Sequence, residues 1–282
     1  LAVVTVYQHG LKAGMAPGRS DHPRSKRREC QGWTQQATRS NVAFLRSVSL
    51  EELTGQGYCI TLTVKTCPDS PEQWATWRDT YIKRLRRAGI IRMHWVTEWQ
   101  RRGVPHLHGV VYFPDPENTR QIVLQTRLLT KAWLDVVDGD CVEQHSQHVA
   151  PIQDALGWLE YLAKHSARGA DHYQRSKESM PVAWDGVSGR MWGRSGSWPT
   201  QPALRLSLCN EAYWRFRRLV RGYRRADARF ASKAFRIVQA RSMLKCNLRS
   251  LSECRGVSEW IPEKCQFLMF DWLRAQGLHV FA

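Results

Sequence analysis

Alternation of apolar and polar positions is strongest over residues 91–113, IRMHWVTEWQRRGVPHLHGVVYF. In its first half Ile91, Met93, Trp95 and Trp99 share one parity while His94, Val96 and Glu98 share the other, the two-residue period of a strand. The second half repeats the pattern, with Leu107, Val111 and Phe113 on the apolar side and His106, His108, Val110 and Tyr112 opposite. Arg101, Arg102, Gly103 and Pro105 supply turn chemistry between the halves, so the stretch predicts a β-hairpin. Cross-strand partners share a face, which sets Glu98 opposite His106 or His108 and diagonal to the other.

Elsewhere the periods change. YCITLTVK at 58–65 alternates and predicts a strand, and 71–88 predicts a helix with Trp74, Trp77, Tyr81, Ile82 and Leu85 at helical spacing. A second helix is expected over 119–136, carrying Ile122, Leu129 and Trp133 on one side, then a short strand at 148–152 and a helix over 153–166. Antiparallel strands with interspersed helices predict an α+β fold, helices on one face of the sheet and the polar face open to substrate. In the last helix Leu156, Leu159 and Ala163 form the stripe expected to dock on the core. Tyr161 lies off that stripe, with Gly157 one turn before it and Lys164 one turn after. Alone, such a Tyr and Lys are a surface pair; a metal-competent hairpin earlier in the chain raises their interest.

Three further segments stand apart, two for stretches without a regular period and the third for its charge. Residues 1–50, with GMAPGRSDHPRSKRREC inside, predict a loose basic arm in which Arg24, Lys26, Arg27 and Arg28 either contact phosphates or are simply solvated. Residues 181–200, rich in Gly, Ser and Trp, predict a long ordered loop or a domain boundary. Residues 210–255 are dominated by arginine in patterns that suit helices.

Composition narrows the partner. A chain of 282 residues holds one or two domains, and its net charge of +17 with a pI near 10.0 asks for a polyanion, nucleic acid first. No apolar run is long enough to span a bilayer and no secretory signal leads the chain, so an intracellular protein is expected. The 8 cysteines include no C-x-x-C pair, which argues against a zinc ribbon or a disulfide scaffold. Arg215, Arg217, Arg218, Arg221, Arg224 and Arg225, interleaved with Trp214, Phe216, Tyr223 and Phe230, predict a DNA-binding face, joined by Arg101 and Arg102 on the hairpin turn. On the hairpin itself, His106, His108 and Glu98 offer a mixed nitrogen and oxygen donor set suited to a divalent ion that also holds substrate oxygens. Two imidazoles favour Mn²⁺ in affinity, and cellular abundance favours Mg²⁺. His94 lies too far along the strand to join them and is expected to be a surface or packing residue.

Taken in order, ITLT at 60–63, EWQRRGVPHLHGVVYF from Glu98 and YLAKH from Tyr161 resemble the motifs of HUH endonucleases, and GRMWG at 189–193 resembles a stretch that follows the tyrosine in bacterial members. Within that superfamily the likeness is to replication initiators of rolling-circle plasmids and single-stranded phages, and it covers residues 55–200. It implies a ferredoxin-like or RNA-recognition-motif-like core, His106, His108 and Glu98 as ligands of Mg²⁺ or Mn²⁺, Tyr161 as nucleophile and Lys164 as its charged neighbour. A tyrosine after the histidines points to an initiator or a single-tyrosine transposase, not to a conjugative relaxase. Gly157 stands where some members carry a second tyrosine or a glutamate, which implies a single nucleophile. The implied partners are single-stranded and duplex origin DNA and, in a bacterial cytoplasm, host helicase, polymerase and single-strand binding protein, since the chain has no phosphate loop of its own. The expected organisation is an arm at 1–50, an endonuclease domain at 55–200 and a basic helical DNA-binding region at 201–282. Against the initiator stand a single-tyrosine transposase and a non-catalytic DNA-binding regulator.

Overall fold

The computed structural model describes residues 1–15, 32–137, 139–167, 174–184, 186–232, 234, 237, 238 and 256–281. In chain order its elements are β1 (Ala2–Tyr7), β2 (Gly10–Met15), α1 (Gln35–Ser47), β3 (Gln56–Thr63), α2 (Pro71–Arg87), β4 (Arg92–Trp99), β5 (Pro105–Phe113), α3 (Thr119–Leu134), β6 (His148–Pro151), α4 (Ala155–Ala167), β7 (Trp192–Gly196), β8 (Leu204–Leu208), α5 (Asn210–Phe230), β9 (Val257–Glu259), α6 (Glu263–Ala275) and β10 (Val280–Phe281). They form two compact units, one of residues 24–200 and one that joins 1–23 to 201–282.

In the 24–200 unit the order β3-α2-β4-β5-α3-β6 folds into an antiparallel sheet β6-β3-β5-β4, the ferredoxin-like arrangement, and β7 adds a fifth strand beside β4. The two helices start where the sequence says they should. Ser70 caps α2 through its side chain with Pro71 and Glu72 in the first turn, and Asn118 caps α3 in the same way. Both bury tryptophans against the apolar sheet face: Trp133 packs edge-on against Trp74 and Tyr81, with ring centroids 5.7 and 5.5 Å away. Because their indole N–H groups are buried they need acceptors, and those of Trp133 and Trp74 find the Thr63 carbonyl at 3.1 Å and the Thr97 hydroxyl at 3.2 Å. At the sheet centre Gly109 leaves room for the neighbouring strand, since a Cβ there would meet the His94 carbonyl oxygen at 2.6 Å.

The opposite face is not open. α1 lies over it, with Asn41 Oδ1 2.7 Å from His94 Nε2 and the Phe44 ring stacked on the His94 ring at 5.4 Å. Helices therefore stand on both faces, and His94 is a packing residue with no exposure. The expected arm at 1–50 needs correcting accordingly: residues 35–47 are helical, begun by the Thr34 cap, because Phe44 and Leu45 have a sheet face to cover. Residues 181–200 also hold more structure than a loop, since β7 pairs with β4 from Arg92 to Val96.

The second unit overturns the remaining arm, and to a region 201–282 whose described residues are mainly helical, as expected, in α5 and α6 it adds the short strands β8, β9 and β10. β1 is the middle strand of a five-stranded antiparallel sheet, β10-β8-β1-β2-β9. Ala2, Val4 and Val6 face a core with Leu11, Leu206 and Leu208, and α5 and α6 close it with Tyr213, Phe216, Val220, Phe270 and Leu273. The alternation of AVVTVY carries a buried face that only a partner strand far along the chain completes. Arg24, Lys26, Arg27 and Arg28 lie outside the described residues. Among those described, no helix is long and apolar enough to cross a membrane.

Candidate active site

The hairpin register places Glu98 directly across from His106, with His108 diagonal to it and paired with Val96. All three are buried, at 0%, 4% and 6% exposure, and their donor atoms lie within 4.8 Å of one another. His106 Nε2 and His108 Nε2 face each other at 2.6 Å, with the rings nearly perpendicular. On its far side His108 Nδ1 meets the Thr61 hydroxyl of β3 at 2.9 Å, which fixes the ring so that Nε2 points to the shared space. Glu98 Oε2 is 3.9 Å from that nitrogen. Two imidazoles and a carboxylate converging on one point are a chemically consistent donor set for a divalent cation, and this group could hold a metal ion.

Tyr161 projects from α4 to the edge of this group. Its ring centroid is 6.2 Å from that of His108, its ring stacks on Trp158 at 4.8 Å, and 37% of the residue remains exposed. The phenol is thus both beside the donor set and reachable from solvent. Among the described side chains of α4 the buried ones are Leu159 and Leu162; of the expected stripe Leu159 is buried, Leu156 is half-buried and Ala163 lies outside the described side chains. Lys164 is in the same helix one turn beyond Tyr161, and its side chain lies outside the description. Asp154 caps the helix by accepting from the Gly157 N–H at 2.9 Å, and both line a shallow cavity of about 290 Å³ with Cys59, Ile152 and Trp158. Burial pushes the Cys59 thiol up, so it is no competing nucleophile there.

Three positions were not anticipated. Arg175 forms an ion pair with Glu98 at 2.5 Å, both fully buried, and Trp33 covers its guanidinium at 4.0 Å. Thr61 could have been read from ITLT, since cross-strand parity puts it on the histidine face. Among the arginines assigned to DNA, Arg215 and Arg218 are exposed, and Arg221 and Arg225 half-buried. Arg217 must be withdrawn: it is 1% exposed because it lies on the buried stripe of α5, its cation over the Tyr213 and Trp214 rings. Arg224 pairs with Glu259 at 2.8 Å. Arg101 and Arg102 are exposed on the hairpin turn, but Arg102 commits its donors to Gln100 and to the Lys65 and Val64 carbonyls, bracing the turn against the end of β3.

Fold and site together define an α+β protein whose central hairpin carries a buried, metal-competent trio beside a reachable tyrosine. Residues 57–166, which span that hairpin and α4 up to the helix's last turn, match the family model of the replication-associated protein ORF2/gene-two protein. Nearly the whole chain is 44% identical to a candidate replication protein of Xylella fastidiosa over 286 residues, covering 99% of each. It is 40% identical over 274 residues to the replication-associated gene-two protein of Pseudomonas phage Pf3, covering 96% of each. The chain belongs to this family of replication-associated proteins. No solved structure matches it.

Proposed function

We propose that this chain is a rolling-circle replication initiator that nicks single-stranded origin DNA with Tyr161 and later rejoins the strands. The observation that carries the reading is the packing of the Tyr161 ring against His108, which lets one backbone phosphate reach both the phenol and the three-ligand group. The names of the full-length relatives favour replication over transposition or regulation.

A phenol, with an ordinary pKa of about 10, is a weak nucleophile at neutral pH. Trp158 stacks on the ring and holds its direction, and Lys164, three residues on in the same helix, is the positive charge assigned to favour the phenolate. The Tyr161 oxygen attacks phosphorus, the bond from phosphorus to the 3′ oxygen breaks, and that oxygen takes up a proton and leaves as a hydroxyl. The product is a 5′ phosphotyrosine and a primer end for a host polymerase. Because the phosphoester is exchanged and not hydrolysed, rejoining is the same step reversed and needs no nucleotide. When bound by Glu98, His106 and His108, Mg²⁺ or Mn²⁺ would polarise the non-bridging phosphate oxygens and offset charge in the transition state. With Gly157 one turn before Tyr161, a single nucleophile serves both transfers. Duplex origin DNA is held by the exposed arginines of α5, Arg215 and Arg218 first, with Arg221 and Arg225 at its margin. The protein works in the bacterial cytoplasm, with strand separation and coating left to the host helicase and single-strand binding protein.

The test is covalent capture. The full chain is incubated with Mn²⁺ and single-stranded oligonucleotides tiled across the replicon that encodes it. One of them is expected to give an adduct that survives a denaturing gel and disappears in Tyr161→Phe or on chelation. An adduct undiminished in Tyr161→Phe, or none across the whole set, overturns the proposal.

A further inference from the structure

We propose that Arg175 is a built-in counter-cation for Glu98, one that keeps the three-ligand site assembled when no divalent ion is bound and makes the ion's own hold on the site weak and exchangeable. The inference rests on the metal site proposed above. Arg175 Nε and Nη2 both donate to Glu98 Oε1, at 2.8 and 2.5 Å, while Oε2 is turned towards the imidazoles. The pair is stapled on both sides. Trp33 lies over the guanidinium and donates its indole N–H to the Thr97 carbonyl at 2.8 Å, and the Trp99 backbone N–H donates to the Gln174 carbonyl at 2.8 Å.

A buried carboxylate needs a compensating charge, and imidazoles ready to ligate a metal are neutral and supply none. Arg175 supplies it. The folded chain can therefore carry a fully buried Glu98 without any ion. Once an ion binds, one carboxylate charge is shared by two cations in a place where salt screens little. Two effects then compete. Orienting a ligand through an outer partner strengthens metal binding by about 10–100-fold. Repulsion between like charges a few ångström apart shifts a binding constant by roughly a thousandfold even at a protein-like effective dielectric. Repulsion wins, so Arg175 weakens the ion's binding on balance. The loaded site keeps a net charge of about +2, which favours an ion bound together with a phosphodiester over an ion bound alone.

The experiment uses the full chain and Mn²⁺ alone, reading the thermal unfolding midpoint with and without Mn²⁺ and the Mn²⁺ dissociation constant from the electron paramagnetic resonance of free ion. Arg175→Met is expected to unfold at a lower temperature without ion, to recover more on Mn²⁺ addition than the natural chain does, and to bind Mn²⁺ at least about tenfold more tightly. Arg175→Lys keeps the charge and is expected to stay near the natural chain in both. Equal or weaker Mn²⁺ binding by Arg175→Met, failure of that variant to fold at saturating Mn²⁺, or an Arg175→Lys that behaves like it would each overturn the proposal. A natural chain without any Mn²⁺ response removes the metal site itself, whereas a responsive one beside an unresponsive Arg175→Met removes only the role given to Arg175.

Discussion

His94 offers a stability test that is independent of DNA. Burial, with the Arg194 charge beside it, pushes its imidazole down to about 3, and it sits fully buried between Asn41, Phe44 and Trp192. In the unfolded chain the same ring titrates near 6.5, so between those two values the unfolded state binds the extra proton and the folded state does not. The sign follows: His94 leaves stability intact above the unfolded value and takes it away progressively as pH falls below it. Dropping from about pH 7.5 to about pH 5 crosses some 1.5 units of that window, which costs roughly 2 kcal/mol. His94→Gln cannot titrate, yet its amide can still meet Asn41. The substitution leaves every other titrating group in place, so the difference between the two pH-dependent losses isolates His94. Urea unfolding followed by tryptophan fluorescence reads the 24–200 unit preferentially, because most of the tryptophans are there. The natural chain is expected to lose about 2 kcal/mol more than His94→Gln between the two pH values. Parallel losses would show that His94 takes up its proton without unfolding, and the burial argument would be wrong.

Three further outcomes follow from the same contacts. Thr61→Val takes away the partner of His108 Nδ1 and is expected to weaken Mn²⁺ binding by about 10–100-fold, measured by calorimetric titration, without a change in secondary structure. Deleting residues 1–15 removes the middle strand of the second sheet and is expected to expose α5 to limited proteolysis while α2 and α3 stay protected; an arm without structural role would leave the cleavage pattern unchanged. Arg218→Gln is expected to lower duplex DNA affinity and reduce its log–log salt slope by about 1, whereas Arg217→Met leaves the slope alone and destabilises the protein by roughly 2 kcal/mol.

What the sequence discloses here is whatever is local. The hairpin is readable because alternation, turn residues and parity all fall within one stretch, and parity alone puts Glu98 and both histidines on one face. The starts of α2 and α3 are readable because Ser70 and Asn118 cap their own helices. What stays hidden needs a partner from elsewhere. AVVTVY alternates, but nothing within it names β8, whose Leu204 and Leu208 stand across from Val6 and Ala2 from the far end of the chain. In α1 the apolar residues bunch at 42–45 instead of recurring at helical spacing, so the helix that covers His94 gives little signal of its own. The arginines mislead for the same reason. A charge is read as surface until its burial is known, yet Arg217 takes a core position between Phe216 and Val220 because two aromatic faces receive its cation. Arg175 is the extreme case: it enters the interior only because a carboxylate 77 positions away accepts two of its N–H groups, and neither residue's own neighbourhood carries a trace of the other.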